Sequence, residues 1–451
     1  MKATMKLLVM LLASAFIIPA GCKKDEHLQT NSNTTAVPAS ARLSHVKIYS
    51  AEVANAWMKL QLRIAATTSG IGNVFFCRHY AYSSIALYES VLPGMPSYQT
   101  LVGQLNGLPA MPATAHNTEY HWACSANAAL ASIIKKMFPT TSAANKASID
   151  SLENVFKTAY TANTDAAIIN RSADFGKAVA QIVYDWAETD GYLHANDPYT
   201  LPAGPGMWVP TPSAFAAAST PYWGNLRLMV AGSGANAMPP APMAYSETPG
   251  SPFYNMVKQV YDVSQTLTPE QTAWALFWRD LPGVSTPLHY ASMLEQVLEN
   301  ENSSLEIAAQ AYALGGITVY DAAISCWLSK YTYNLVRPIT YIRNVMGHTT
   351  WNAALTTPAH PEYSSAHACI SAANADAMES IFGTNYSFTD HTYDYLGMAP
   401  RSFSSFRACG EDAANSRLYA GIHYQPTIEV GLAQGRIVAQ NILNKLVLKK
   451  P

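Results

Sequence analysis

Charged residues are scarce in this 451-residue chain. They make up 13% of the sequence, while 49% of the residues are hydrophobic. Disordered proteins have the opposite composition, so the sequence predicts a folded globule. Lysine and arginine number 28 against 30 acidic residues, for a formal charge of −2. A nucleic-acid binder needs excess positive charge to neutralise phosphates, so this balance argues against a nucleic-acid partner.

Cysteine is also rare, and the six cysteines form no closely spaced pair of the kind that binds zinc. Without Cys22 their number is odd, so at least one thiol stays unpaired. Cys326 and Cys369 fall within apolar helical patterns, and we expect both to be small core residues. Sustained alternation of polar and apolar residues is absent as well. A fold built mainly of β-sheet is therefore not expected.

Apolar residues instead recur at intervals of three and four, which is the spacing of amphipathic helices. The segment Thr268-Pro269-Glu270-Gln271 has the form of a capping box with proline at the first helical position. The sequence therefore predicts an all-α fold. The predicted helices span residues 51–67, 77–92, 120–138, 143–162, 165–188, 268–278, 287–300, 303–333, 365–382, 403–419 and 428–447.

The N-terminus has the pattern of an export signal. Two lysines precede an apolar stretch over residues 7–18, and small residues follow it before Cys22. The pattern predicts a signal peptide over residues 1–21. Its end resembles the lipobox of bacterial lipoproteins, which implies that Cys22 is lipidated; an ordinary secretory signal with an incidental cysteine is the alternative. Residues 22–44 are polar and predict a flexible tether.

We accordingly expect an exported lipoprotein, held by its lipid anchor alone in the outer membrane, on the periplasmic face or at the cell surface. Residues 45–451 predict one all-α domain. Its N-terminal helices and a long loop lie in residues 45–250, and the helices that carry the candidate site residues lie in 251–451. The loop, residues 190–250, is rich in proline, glycine and large aromatic side chains. Because a linker has no use for aromatic surface, we expect an ordered loop near the site.

Two segments of the last third concentrate basic and hydroxyl side chains. Lys330 and Arg337 lie seven residues apart, which in one helix would project both side chains from one face, and Pro338 ends or kinks that helix. Ser365 and His367 stand where a helix of small residues begins. Backbone N–H groups at such an N-terminus can bind an anion.

A third segment places Gly421 between Arg417 and His423. Together the three segments supply one lysine, two arginines, a hydroxyl, N–H donors and two histidines. Guanidinium groups bind two oxygens each, an ammonium adds a point charge, and histidine is a ligand, a nucleophile or a proton carrier. The set predicts a pocket for a tetrahedral oxyanion.

The order and spacing of these residues resemble the three-part signature shared by vanadium-dependent haloperoxidases and type 2 phosphatidic acid phosphatases. The signature reads here Lys330-x6-Arg337-Pro338, Ser365-Ala366-His367 and Ser416-Arg417-x5-His423. Further segments resemble the haloperoxidase branch: Trp327, Phe277 to Asp280 followed by Thr286-Pro287, and the stretches beginning at Arg78 and Gly204. The resemblance implies the helical-bundle fold of haloperoxidases and acid phosphatases.

The resemblance also implies a role for each matched residue, with vanadate as the cofactor. His423 would be the axial ligand of vanadium, and His367 would contact the apical oxygen and act as acid and base. The equatorial oxygens would be bound by the side chains of Lys330, Arg337, Ser365 and Arg417 and by the N–H of Ala366.

The implied reaction is the oxidation of a halide by hydrogen peroxide to hypohalous acid, which halogenates an organic acceptor. Lys330 would polarise the peroxide. His360 stands where bromide-oxidising members of the family tend to have histidine, so bromide is the expected halide.

Three positions differ from the usual family pattern. Ser364 replaces a proline, Ala366 replaces a glycine, and Thr427 replaces an aspartate that would orient a histidine. We expect Asp280 to serve as the supporting acid, paired with Arg417 or His367, and Glu429 to be a weaker substitute.

Two other functions remain open. In a phosphatase, phosphate would take the place of vanadate, His423 would form a phosphohistidine and His367 would protonate the leaving group of a phosphate monoester. A non-catalytic, oxyanion-binding lipoprotein would need the arginines but neither histidine. The sequence leaves the oligomeric state open.

Overall fold

The computed structural model describes residues 45–71, 74–280 and 285–450. The predicted signal peptide, Cys22 and the whole tether of residues 22–44 lie outside these residues, so the lipoprotein assignment stays a prediction. In the described part of the chain, no helix combines the length and the apolar character that crossing a membrane requires.

Over the described residues the protein has thirteen α-helices and one small sheet, which confirms the predicted all-α class. The helices are α1 (Glu52–Thr67), α2 (Phe75–Val91), α3 (Trp122–Met137), α4 (Ala143–Thr161), α5 (Ala166–Ala187), α6 (Pro252–Gln265), α7 (Pro269–Phe277), α8 (Thr286–Asn300), α9 (Leu305–Tyr333), α10 (Pro338–Asn344), α11 (Ala366–Phe382), α12 (Phe406–Tyr419) and α13 (Gln425–Lys445). Strands β1 (Phe388–Asp390) and β2 (Arg401–Phe403) pair antiparallel, with Phe388 opposite Phe403.

Every helix predicted from the sequence is present, with its ends displaced by a few residues. The capping box at the start of α7 is formed as predicted, because the Thr268 hydroxyl and the Gln271 side chain each bond the other residue's backbone N–H. Helices α6 and α10 and the small sheet were not predicted. Helix α6 begins with Ser251 as a cap and Pro252 at its first position, the same signal that marks α7.

One prediction about helix geometry is wrong. Lys330 and Arg337 do not share a helix, because α9 ends at Tyr333 and Asn334 adopts a left-handed conformation with φ of 47°. Arg337 is the residue before α10, in an extended conformation, and Pro338 begins that helix rather than interrupting α9. The two side chains nevertheless reach the same loop.

Helix α9 runs through the middle of the molecule and packs against α1, α2, α8, α11 and α13. Its residues are buried on nearly all sides, as expected for a helix that is apolar all round. One continuous hydrophobic core extends from Val46 to Leu448 around it. Cys326 and Cys369 belong to this core as predicted, and the five cysteines of the described residues are free thiols.

The stretch of residues 190–250 packs against the C-terminal end of α9, and none of its residues lines the cavity described below. Apart from two single 3-10 turns it has no regular structure. Its hydrogen bonds to this region include Trp208 N to Asn334 O at 2.6 Å, Trp327 Nε1 to Thr220 Oγ1 at 2.9 Å, and Tyr363 Oη to Pro240 O at 2.7 Å.

Helices α11 and α13 cross at very short range through two glycines of α13. A Cβ atom at Gly435 would lie 2.0 Å from the carbonyl oxygen of Cys369, and one at Gly431 would lie 2.8 Å from that of Ser365. Because Ser365 immediately precedes α11, this crossing fixes the start of α11 against α13.

Gly435→Ala should force α11 and α13 apart, because the added methyl group meets rigid backbone. We expect the free energy of unfolding to fall by about 1–3 kcal/mol, as in other overpacked cores. Thermal unfolding followed by circular dichroism measures the change. Ala433→Ser, at an exposed position of the same helix, is the matched control and should leave Tm unchanged. Equal Tm values for both variants would refute this account of the crossing.

Candidate active site

A cavity of about 590 Å³ opens beside the start of α11. The predicted site residues Asp280, His360, Ala366, His367, Arg417 and His423 line it, together with Trp327. Much of the remaining wall is apolar, from Ile71, Val74, Leu276, Leu288, Ile370 and Ile422. Lys330, Arg337 and Ser365 are fully buried behind the lining residues. The structure thus brings together side chains that come from four separate segments of the sequence.

Ser365 has a buried hydroxyl with nothing to bond. It is the N-cap residue of α11, yet its side chain caps no backbone group, and Oγ has no hydrogen-bond partner among the described residues. A buried hydroxyl without a partner is costly, so the atom suits a ligand that supplies one. Ala366 is already helical and does not have positive φ. Alanine therefore fits this position, where the family usually has glycine.

The ammonium group of Lys330 is held by backbone oxygens. Nζ donates to the carbonyls of Pro361 at 3.1 Å, Glu362 at 3.0 Å and Ser364 at 2.6 Å. All three of its N–H bonds are then in use, and direct contact with an anion requires one of them to be exchanged. Burial lowers the pKa of Lys330 to about 8. Lys330 therefore holds the loop ahead of α11 and places a positive charge behind it.

Arg337 joins three parts of the site. Its Nε donates to the carbonyl of His360 at 3.0 Å and Nη1 to that of Ile422 at 2.8 Å. Nη1 also lies 3.3 Å from Nε2 of His423, and Nη2 lies 3.1 Å from Nδ1 of His360. Burial lowers the pKa of Arg337 to about 10, against the charge of Glu362. The guanidinium therefore stays positive at neutral pH.

Arg417 reaches the cavity from the last turn of α12. Gly421, with φ of 75°, turns the chain just after this helix, and the turn brings His423 to the same cavity. The Arg417 guanidinium donates from Nε to Ser416 Oγ at 2.9 Å and from Nη2 to the carbonyl of Ala275 at 3.2 Å. Within the described chain, Nη1 forms no hydrogen bond, so it is available to a ligand.

His423 is held through its Nδ1 atom, which lies 2.7 Å from Oε1 of Glu362. The same oxygen accepts the N–H of Tyr424 at 3.1 Å and the hydroxyl of Thr427 at 2.5 Å. Burial lowers the pKa of His423 well below its usual value, and the charges of Arg337 and Lys330 lower it further. The imidazole is therefore neutral, as a metal ligand must be.

His367 contacts the carbonyl of Trp278, which lies 2.9 Å from Nε2. A carbonyl only accepts, so Nε2 carries the ring proton, and Nδ1 has no hydrogen-bond partner among residues that the structure describes. Asp280 Oδ1 lies 3.8 Å from Nε2. Burial lowers the pKa of His367 well below its usual value, and Arg417 lowers it further. Burial raises the pKa of Asp280 to about 6, and the charge of Arg417 opposes this rise.

His360 and Trp327 form the wall beside Arg337. Their ring centroids are 5.0 Å apart. Nδ1 of His360 lies 3.1 Å from Nη2 of Arg337, which donates, and 3.2 Å from the carbonyl oxygen of Pro361, which accepts. Burial lowers the pKa of His360 well below its usual value, and the charges of Lys330 and Arg337 add to the effect.

One of the two supporting acids that the sequence suggested lies at the site, and the other does not. Asp280 does lie beside His367, but Glu429 is exposed and bonds Gln425 on the surface of α13. The carboxylate that contacts His423 belongs to Glu362, which sequence reasoning missed. Its one local signal was an acidic residue within the segment that leads into α11.

The assembled groups fit a tetrahedral oxyanion. Arg417, His423 and the start of α11 line the cavity, Arg337 bonds its lining residues His360, Ile422 and His423, and Lys330 bonds the loop ahead of α11. Buried cations, N–H groups at a helix start and a hydroxyl without a partner are donors that suit the oxygen atoms of an anion. Over residues 45–71, 74–280 and 285–450, no three or more His, Cys, Asp or Glu side chains are grouped as in an ordinary metal site.

Known proteins share this architecture. Residues 310–448 match the family described as the VCPO second helical-bundle domain. The crystal structure of a bacterial vanadium-dependent iodoperoxidase is 31% identical over 89% of this chain and 98% of that chain, with a TM-score of 0.82. Among curated proteins, none matches significantly.

Two structures of a bacterial vanadium-dependent chloroperoxidase are more distant. The holo-type structure is 15% identical over 85% of this chain and 96% of that chain, with a TM-score of 0.65. The apo-type structure is 15% identical over 83% and 95%, with a TM-score of 0.62. At this level of identity the likeness shows the fold alone.

Ser365→Ala should weaken oxyanion binding while the fold stays intact, because the hydroxyl that it removes bonds nothing else. We expect the Kd for orthovanadate or phosphate, measured by isothermal titration calorimetry, to rise about 10-fold, the equivalent of one hydrogen bond to a charged group. Tm should stay equal or rise. Thr318→Val removes another buried hydroxyl without a partner, in the interior of α9, and should leave the Kd unchanged. Equal Kd values for Ser365→Ala and the wild type would remove Ser365 from the site.

Proposed function

From the membership of this chain in the vanadium-dependent haloperoxidase family, we propose that it oxidises a halide with hydrogen peroxide at a bound vanadate. The observation that carries the proposal is the convergence of the buried cations, the Ser365 hydroxyl and two neutral histidines on one cavity. The likeness to the iodoperoxidase, at 31% identity over nearly all of that chain, supports the same chemistry.

The proposed cofactor site uses the residues around the start of α11. The vanadate oxygens would be held by the side chains of Arg337 and Arg417, by the Ser365 hydroxyl and by the N–H of Ala366. Nε2 of His423 would bind vanadium. Bound vanadate is a Lewis acid that makes a peroxide oxygen electrophilic toward halide. Lys330 adds positive charge from behind the loop, and preorganised charge of this kind lowers the barrier to reactions in which negative charge shifts.

We propose that His367 accepts a proton from peroxide and later returns it to the oxygen that leaves. Its Nε2–H is engaged by the carbonyl of Trp278, so the lone pair on Nδ1 is the group able to accept the proton that peroxide loses. The carboxylate of Asp280, 3.8 Å from Nε2, stabilises the imidazolium that results. The proton then returns to the oxygen that leaves as water, and the net reaction consumes one peroxide, one halide and one proton.

The proposal extends to the halide and the acceptor. We propose bromide, because His360 lines the cavity beside Trp327 at the position where bromide-oxidising members of the family tend to have histidine. An enzyme that oxidises bromide also oxidises iodide, which gives up electrons more readily. A volume of about 590 Å³ exceeds what peroxide and halide occupy and lies in the range of sites for small organic molecules. We therefore propose that an apolar organic acceptor enters the same cavity.

The decisive measurement compares two activities of one purified sample. With orthovanadate and peroxide, we expect oxidation of iodide to triiodide and bromination of a phenol. With an aryl phosphate and no vanadate, we expect no hydrolysis. His423→Ala should reduce halide oxidation to the rate of free vanadate, because it removes the vanadium ligand. His391→Ala, at an exposed histidine that bonds Asp394, should retain full activity.

Phosphatase turnover that vanadate blocks, with no halide oxidation, would replace the proposal by its alternative. Binding of the anion with neither activity would instead favour a non-catalytic oxyanion-binding protein. Full activity of His423→Ala would show that the histidine has been assigned wrongly.

We further propose that the protein is an exported lipoprotein anchored through Cys22. The support is the sequence pattern alone, with small residues ahead of the cysteine and a polar stretch behind it.

Cys22→Ser should abolish incorporation of labelled palmitate and release the protein from the membrane fraction, because the acylated sulfur is lost. Metabolic labelling and fractionation measure both effects. Ser32→Ala, in the same polar stretch, should remain labelled and membrane-bound. An unlabelled wild-type protein would indicate an ordinary secretory signal instead.

A further inference from the structure

Glu362 makes an unusual set of contacts for a residue to which the family pattern gives no role. Its side chain is fully buried, and a single oxygen, Oε1, accepts hydrogen bonds from His423 Nδ1, Tyr424 N and Thr427 Oγ1. The other oxygen, Oε2, has no hydrogen-bond partner in the part of the chain that the structure describes. Burial raises the pKa of Glu362 to about 7, and the hydrogen bonds from Thr427 and Tyr424 and the charges of Arg337 and Lys330 oppose this rise. All hydrogen bonds of the carboxyl group thus go to His423 and to the start of α13.

The main chain holds Glu362 firmly in this place. Its N–H donates to the carbonyl of Leu335 at 3.0 Å, and its own carbonyl accepts from Lys330 Nζ at 3.0 Å. Both partners come from the end of α9 and the residues that follow. The position of the carboxylate is thus set by the same lysine that holds the loop ahead of α11.

Two contacts determine which ring nitrogen of His423 carries the proton. A guanidinium only donates, so Nε2 accepts from Nη1 of Arg337 at 3.3 Å. The proton of the neutral ring is then on Nδ1, which donates to Oε1 of Glu362 at 2.7 Å. A ligand that binds Nε2 takes the place of the Arg337 contact. A histidine that binds a metal through one nitrogen needs the other nitrogen fixed in this way.

Thr427 stands where the family pattern has a carboxylate. The family pattern places an aspartate at this position, and here the threonine hydroxyl donates to Glu362 at 2.5 Å. An aspartate at 427 beside Glu362 would bring two negative charges together. The threonine instead supplies a donor to a carboxylate that comes from another segment.

We propose that Glu362 is the positioning residue of His423, taking the part of the aspartate absent at 427, and that Thr427 fixes the Glu362 carboxylate. The inference rests on the proposed function in that it takes vanadate as the ligand of Nε2. It adds that the orienting charge comes from the loop ahead of α11 and not from α13.

The test moves the carboxylate from residue 362 to residue 427 and measures vanadate binding rather than turnover. Glu362→Ala should raise the Kd for orthovanadate about 10- to 100-fold, the usual effect of removing such a partner. Glu362→Ala combined with Thr427→Asp should recover most of the loss, because the carboxylate returns from α13. Thr427→Asp alone should bind vanadate more weakly than the wild type. Thr427→Val, which keeps the carboxylate and removes one donor, should have the smallest effect.

A second measurement detects the tautomer of the His423 imidazole directly. In the protein without vanadate, ¹⁵N NMR of labelled histidine should show His423 protonated at Nδ1. The spectrum should shift toward a tautomer mixture in Glu362→Ala and return in the double variant. Glu362→Gln keeps the shape and an accepting oxygen, so it should retain the tautomer and lose only the part of the affinity that depends on charge. Circular dichroism and Tm identify any variant that fails to fold.

An unchanged tautomer and Kd in folded Glu362→Ala would overturn the proposal. So would a double variant that binds no better than Glu362→Ala, because the two positions would then not be interchangeable. Halide oxidation by the wild type is scored separately. A protein that binds vanadate with these tautomer shifts but oxidises no halide would sink the proposed function and leave the role of Glu362 in place.

Discussion

The site depends on buried positive charge. Lys330 and Arg337 are completely enclosed, and Arg417 nearly so. Removing such groups from water is expensive unless acceptors surround them. The acceptors here are mainly backbone carbonyls, and those of residues 360–364 receive most of the bonds from the first two cations. The loop that leads into α11 is therefore folded by the cations, and its shape places Ser365 and Glu362.

The same enclosed charge prepares the histidines. Burial and the neighbouring cations together lower the pKa values of His360, His367 and His423, so three imidazoles stay neutral beside three cations. A neutral ring can bind a metal or accept a proton, whereas a protonated one would repel the cations and could do neither. An oxyanion adds the negative charge that the interior lacks. Affinity for the ligand and the protonation state needed for chemistry thus share one electrostatic cause.

Sequence reasoning succeeded where the signal was local. Helical periodicity located α9 and α11, and Arg417 and His423 are close in sequence and joined by a turn at Gly421. It failed where the geometry depended on distant segments. Lys330 and Arg337 meet through the loop at 360–364 rather than along one helix. The contacts of Glu362 to His423 and Thr427 span 61 and 65 residues. The periodicity also missed α10, which has only seven residues.

Residue 427 is threonine here, where the family pattern has aspartate, and the carboxyl group near His423 comes from Glu362 instead. Residue 427 lies in the first turn of α13, where a negative charge is favoured by the partial positive charge of the helix N-terminus. The carboxylate of Glu362 satisfies this preference from outside the helix, because it accepts the N–H of Tyr424, the residue that precedes α13. What His423 and the start of α13 share is thus one accepting carboxyl oxygen. The segment that supplies it can change, provided that a donor such as Thr427 takes the vacated position.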